Sequence, residues 1–445
     1  MLEVWLVRRR NRDPLEQHRS QLDTLELLLK SGLVALRAGL DTIPTDGNSG
    51  TVYARCRELE VRLAWLQRVW WYFRRKFDQR DEDTGLARVL TAADEVVWSC
   101  YAEVYVNSGR IRPAAPLAYI EPLFSPEAIP RDDPPPELES VDSPFLKQFL
   151  AELPVPLIAL PPACLEEPWW LAFVAHEVGH HIQHDFDLVG PFAGWLRSLI
   201  CADPDEQLID PEANRWGGYG QEIFADLFSV SCLGAAAVRT MVELELAEAA
   251  DMLAARRGRY PAPLVRLALL AKAAKRLGAE GDAALAYGLS ELLEKSRKSA
   301  DESRLSEDLK RVDQAAASCF EGKLDGLELT LPALAGWDPV PHQDGTLELW
   351  SKALREGQNL YPSQVRASSR LLVAASVKAW EALSTLEDAA RAEAYAKLSA
   401  ALVDNLAQSR EPGTRAADQG SRMIKPLASK FTDWLMHTSI DQLRT

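Results

Sequence analysis

A chain of 445 residues is long enough for two or three domains and a sizeable core. Its 47% apolar and 26% charged residues are globular proportions, and 50 Lys+Arg against 65 Asp+Glu give a net charge of -15, the wrong sign for nucleic-acid binding. No apolar run approaches the ~18 residues of a membrane span. The opening MLEVWLVRRRNRD places its basic cluster after the apolar stretch, the reverse of a signal peptide. A soluble cytoplasmic protein with neither membrane nor nucleic acid as partner is the expectation.

In chain order, Leu2 to Val7 reads as a short strand, and residues 1–110 otherwise as a helical region: Leu22, Leu25, Leu29 and Leu33 recur at helical steps, as do Val61, Trp65 and Leu66. Composition then shifts. Of 27 prolines, 14 lie between Pro113 and Pro168, including Pro134, Pro135 and Pro136, which marks 111–153 as a connecting segment. Strands are expected at Leu117 to Ile120 and at Val155 to Leu160, the second an edge strand because Pro154, Pro156, Pro161 and Pro162 bracket it; such an edge can pair with an extended peptide. A core over 154–275 follows, and 276–445 reads as helical again, from Leu285, Leu289, Leu292 and Leu293 and from Val373, Val377, Trp380 and Leu383.

Cys56, Cys100, Cys164, Cys201, Cys232 and Cys319 form no CxxC pair, so reduced thiols are expected rather than a disulfide framework or thiolate zinc site.

Chemistry concentrates in the histidines. Four of seven, His176, His180, His181 and His184, fall in nine residues that include His176-Glu177-Val178-Gly179-His180, an HExxH pattern. Four-residue spacing puts His176 and His180 on one helix face about 6 Å apart along the axis, close enough to share one cation, with Glu177 facing a water at that cation as general base. The helix is expected to start at Pro168 and to be buried, because Trp169, Trp170, Leu171, Phe173 and Val174 make it apolar all round. Zinc needs a third ligand. The metzincin solution requires Gly and His where this chain has Gln183 and Phe186, and His184 lies about 12 Å along the axis from His176. His184 and His181 are therefore expected to be solvated or to lie outside the ligand set. Glu222, 42 residues after His180, shares a face with Asp226 in Glu222-Ile223-Phe224-Ala225-Asp226; the first carboxylate suits the metal, the second the free N–H of a ligand histidine.

HEVGH followed by EIFAD resembles the gluzincin metallopeptidases, and Ala before Asp is similar to the HtpX and CAAX-prenyl-protease branch. That branch carries a later HPxxxxR element, matched in Pro261 and Arg266 but with Tyr260 in place of its histidine. The resemblance covers three short motifs within about 150–270 and lacks the branch's membrane spans. It implies zinc held by His176, His180 and Glu222, with Glu177 as base and proton shuttle, Asp226 behind the ligands, and Tyr260 or Arg266 stabilising the oxyanion. His342 is a weaker candidate for the acid role, Cys164 for capping the zinc, and Gly217-Gly218-Tyr219-Gly220 for a hinge.

The expected architecture is mainly α, with a small α+β zincin-like core, made of a short edge strand, the HExxH helix and the ExxxD helix, between helical regions. The expected function is zinc-dependent hydrolysis of peptide bonds in a protein substrate, narrow in specificity and regulated, with the helical flanks recruiting substrate or a regulatory partner. A catalytically inactive zinc-binding helical scaffold and a zinc hydrolase of a non-peptide amide or ester are the alternatives. Cleft shape separates the last from a peptidase, which needs a groove beside an open strand edge.

Overall fold

The helical periodicity translates into buried helix faces throughout a computed structural model that describes residues 5, 18–44, 48–81, 84–130, 155–245, 259–279, 302–360, 368–409 and 424–438. The first three helices are α1 (Arg19–Asp41), α2 (Ser49–Asp78) and α3 (Gly85–Ser108). Leu22, Leu25 and Leu29 of α1 and Trp65 and Leu66 of α2 are buried, whereas Leu33 is exposed. Asn48 and Thr84 cap α2 and α3 with their side chains, accepting from backbone N–H groups of the first turns. Trp5 is helical, not extended; the rest of the strand expected at Leu2 to Val7 lies outside the described residues, as do Pro134 to Pro136 and the leucines at 285, 289, 292 and 293.

Three short strands follow: β1 (Leu117–Ile120), β2 (Glu127–Ile129) and β3 (Leu157–Leu160). Their order is β1-β3-β2, with β3 parallel to β1 and antiparallel to β2. The expected edge strand is therefore central. Its prolines fall outside Leu157–Leu160, so none removes a donor from the ladder, and the Pro156 carbonyl accepts from the Leu117 N–H at 2.9 Å. The cleft-side edge strand is β2, three residues hidden in the proline-rich stretch.

Alternation along the sheet divides the interior in two. Leu117, Tyr119, Leu157 and Ala159 face a core built with α1, α2 and the last described helix, while Ala118, Ile158 and Leu160 face a larger one. That larger core runs from α3 through a 3-10 turn (Pro168–Ala172) into α5 (Phe173–Asp185), preceded by the short α4 (Ala163–Glu166). It continues through α6 (Val189–Ser198), α7 (Pro211–Gly218), α8 (Gly220–Leu233), α9 (Ala235–Glu245), α10 (Pro263–Arg276) and α11 (Glu302–Glu321). Short α12 (Leu331–Ala335) and α13 (Val340–Gln343) lead to α14 (Thr346–Arg355), α15 (Ser368–Leu383), α16 (Asp388–Ser409) and α17 (Ile424–His437), the last packed on α1. Val373, Val377, Trp380 and Leu383 are buried on α15 as their spacing predicts. Among the described residues, then, the fold is mainly helical with one small sheet, and no helix is long and apolar enough to cross a membrane.

Candidate metal centre

The HExxH and ExxxD segments form the adjacent helices α5 and α8. The expected start at Pro168 is a tight 3-10 turn that passes into α5 at Phe173, and all residues from Phe173 to Gln183 are buried. Two side-chain anchors fix α5. His181, expected outside the ligand set, is buried, and its Nε2 lies 3.0 Å from the Leu157 carbonyl of β3. At the far end Tyr101 and Tyr105 of α3 both donate their hydroxyls to Asp185. Thirteen of the residues of α8, Glu222 and Asp226 among them, are buried.

Three ligand atoms converge between the helices. His176 Nε2 and His180 Nε2 lie 3.2 Å apart, and Glu222 Oε2 lies 3.5 Å from the first and 3.9 Å from the second. A triangle with sides of 3.2, 3.5 and 3.9 Å has a circumradius of about 2.1 Å, which matches the ~2.0–2.2 Å that zinc keeps from imidazole nitrogen and carboxylate oxygen. Among the described residues these three are the one group of histidine, cysteine and carboxylate side chains close enough to share an ion. The donor set, two imidazoles and a carboxylate, fits zinc.

Behind the ligands stands a charged relay. His176 Nδ1 lies 2.9 Å from Asp226 Oδ1, which turns Nε2 toward the triad. Arg266 of α10 donates to both Asp226 oxygens, at 2.6 and 2.8 Å, and to Glu245 at 2.9 Å. The structure thus brings Arg266 to the site, but as a buried clamp on carboxylates rather than a donor free to meet an oxyanion. Tyr260 lines the cleft beside it.

The electrostatics follow from burial and this relay. Burial opposes the charged form of His176, yet Asp226 and Glu222 lift its pKa to about 10; burial and the neighbouring His176 hold His180 down to about 3. Asp226 is kept near 2 by Arg266 and His176 in spite of burial, and Glu222 is lowered against burial by His176. Burial raises Glu177 to about 7. The backbone of Ala128 in β2 opposes that rise.

His176, Glu177, His180 and Glu222 floor a cleft of about 470 Å³ whose walls include Leu123, Phe124, Glu127, Ala128, Phe173 and Arg259. His184, half-buried, reaches this cleft but not the triad. His342 is elsewhere, packed on Trp337 with ring centroids 4.4 Å apart and lining a separate cavity beside α15. Cys164 is buried in the core, its thiol pushed up to about 12 by burial, and stands outside the triad; none of the six cysteines is in a disulfide. Gly217 and Gly218 end α7 and Gly220 opens α8, a helix junction in which Gly217 packs on Arg197 and Gly220 on Ala193 rather than a loose hinge. Sequence reasoning missed β2, Glu245 and Arg259, each a short or isolated element without periodic signal.

No protein-family model, curated protein or solved structure matches this chain.

Proposed function

We propose that the chain is a zinc-dependent peptidase of the gluzincin type, acting on an extended segment of a protein substrate. One observation carries the reading: three ligand atoms and the buried Glu177 carboxylate converge in a cleft bordered by the outer edge of β2. Among the described residues no strand pairs with that edge, which favours a peptide over a small amide or ester, for which an enclosed pocket would be better suited.

His176, His180 and Glu222 would hold the ion. Zinc, when bound, supplies a Lewis acid that acidifies water and polarises a carbonyl. A peptide laid along β2 gains backbone hydrogen bonds that place its carbonyl over the cleft floor. Glu177, which lines the cleft beside the three ligand atoms, takes a proton from the attacking water and returns it to the leaving amine. Tyr260 donates its hydroxyl where negative charge builds on the carbonyl oxygen. Arg266 and Asp226 hold His176 in the required tautomer.

The test is metal analysis by mass spectrometry together with cleavage of a peptide library. About one zinc per chain, lost in a His176→Ala/His180→Ala double variant, with cleavage abolished and zinc retained in Glu177→Gln, is the expected result. Zinc without turnover would favour the scaffold reading, and turnover of amides or esters but not peptides the small-molecule hydrolase. A folded wild type that takes up no supplied zinc overturns the proposal.

A further inference from the structure

We infer that Arg259 is a positioning residue that keeps Glu222 to one-oxygen ligation, an inference that rests on the zinc reading above. The two oxygens of Glu222 have different surroundings. Oε2 faces His176 and His180 at 3.5 and 3.9 Å, whereas Oε1 lies 3.0 Å from Arg259 Nε. The latter contact is an ion pair rather than a well-aimed hydrogen bond, so its pull on Oε1 is that of charge.

The distinction matters because a carboxylate can close on a cation with both oxygens. A hydrolytic zinc site needs three protein ligands and a free fourth position, and a second carboxylate oxygen would crowd it. Arg266 does not oppose that rotation: its nearest approach to Glu222 is to Oε2, at 3.6 Å, and its other donors are engaged by Asp226 and Glu245. Among the described residues Arg259 is the cation on the Oε1 side. Its guanidinium rests over the Tyr260 ring, 5.6 Å from the centroid, which steadies the side chain where it borders the cleft.

Arg259 is also dispensable to the core. Its side chain is 52% exposed, against 4% for Arg266, so replacing it removes charge from Glu222 without opening a cavity. Nothing in the proposed proton transfers uses it.

Cobalt(II) reports the geometry directly, because four-coordinate cobalt absorbs visible light several-fold more strongly than five-coordinate cobalt. The full chain is loaded with cobalt(II) alone, as wild type, Arg259→Ala and Arg259→Lys, with circular dichroism confirming that each is folded. The expected result is intense visible bands in the wild type, a several-fold loss in Arg259→Ala, and recovery in Arg259→Lys, which restores the positive charge. X-ray absorption of the zinc forms should show one added oxygen neighbour in Arg259→Ala only. Identical spectra for wild type and Arg259→Ala overturn the role of Arg259 while leaving the metal site standing. Failure of the folded wild type to bind either metal overturns the zinc reading, and this inference with it.

Discussion

Gly179 of α5 and Ala225 of α8 meet backbone to backbone: a methyl group added at Gly179 would lie 2.8 Å from the Ala225 Cα and 3.2 Å from the Phe228 Cβ. This contact sets the geometry of the site. His176 and His180 stand three residues before and one after Gly179, and Glu222 and Asp226 stand three before and one after Ala225, so the helix crossing brings the two pairs face to face.

Gly179→Ala should therefore act as an overpacking substitution against backbone, which no rotamer change relieves. A loss of about 1–3 kcal/mol is expected, measured by urea unfolding, with less zinc retained after dialysis because α8 is displaced. Wild-type stability and metal content in the variant would show that the helices separate freely and that the close approach is incidental.

The same crossing explains why the site was legible in sequence and its border was not. HExxH and ExxxD are patterns within single helices, where fixed spacing determines which side chains share a face, and their apolar flanks announce burial. Pairing across elements leaves no such trace. Prolines around Leu157–Leu160 read as edge-strand punctuation, but they sit beyond its ends, and the interior of β3 pairs on both sides. β2 has three residues and no alternation to detect. Glu245 and Arg259 are single charges whose partners lie 21 residues on and 37 residues back. The substitution of Tyr260 for histidine directed attention to Arg266 as an oxyanion donor, whereas three carboxylates claim it.

Those carboxylates make Arg266 a sensitive residue behind the candidate ligands. It is 4% exposed and answers Asp226 and Glu245, both buried. Arg266→Ala removes the two-pronged cation from Asp226 and a guanidinium partner from Glu245 and should cost about 3–5 kcal/mol. Arg266→Lys should recover only part, since one ammonium cannot reproduce the two-pronged grip on Asp226. Denaturant unfolding of the metal-free forms checks both; full recovery of wild-type stability in Arg266→Lys would mean that the fork geometry is unimportant.

Ala128 offers a test of the sheet edge that is independent of the ligands. Its backbone favours the charged form of Glu177 against burial, so Ala128→Pro removes an N–H that supports the carboxylate. Peptide cleavage should fall about tenfold or more, the loss of roughly one hydrogen bond to a charged group, while zinc content stays at the wild-type level. Loss of zinc in step with activity would instead point to a collapsed site.

Acid stability should depend on a buried cluster outside the candidate metal centre. Asp94 of α3 accepts from Arg80 Nε at 3.1 Å and Nη2 at 2.8 Å and lies 3.0 Å from His18 Nε2, all three residues being buried. Burial alone would raise its pKa, but Arg80 and His18 outweigh burial and hold it below the usual carboxylate range. The folded pKa is thus below the ~3.9 of an unfolded chain, and between the two values the unfolded state binds more protons. The stability that this carboxylate contributes is complete above about pH 4 and is lost as pH falls through the folded pKa. At pH 7 Asp94→Asn leaves Arg80 buried without its anion and should be less stable by about 3–5 kcal/mol. That gap should narrow steadily below about pH 4 as the wild-type carboxyl takes up its proton. Unfolding free energies of both proteins from pH 7 to pH 3 measure it, and a gap that stays constant across the range would remove Asp94 as a source of the acid dependence.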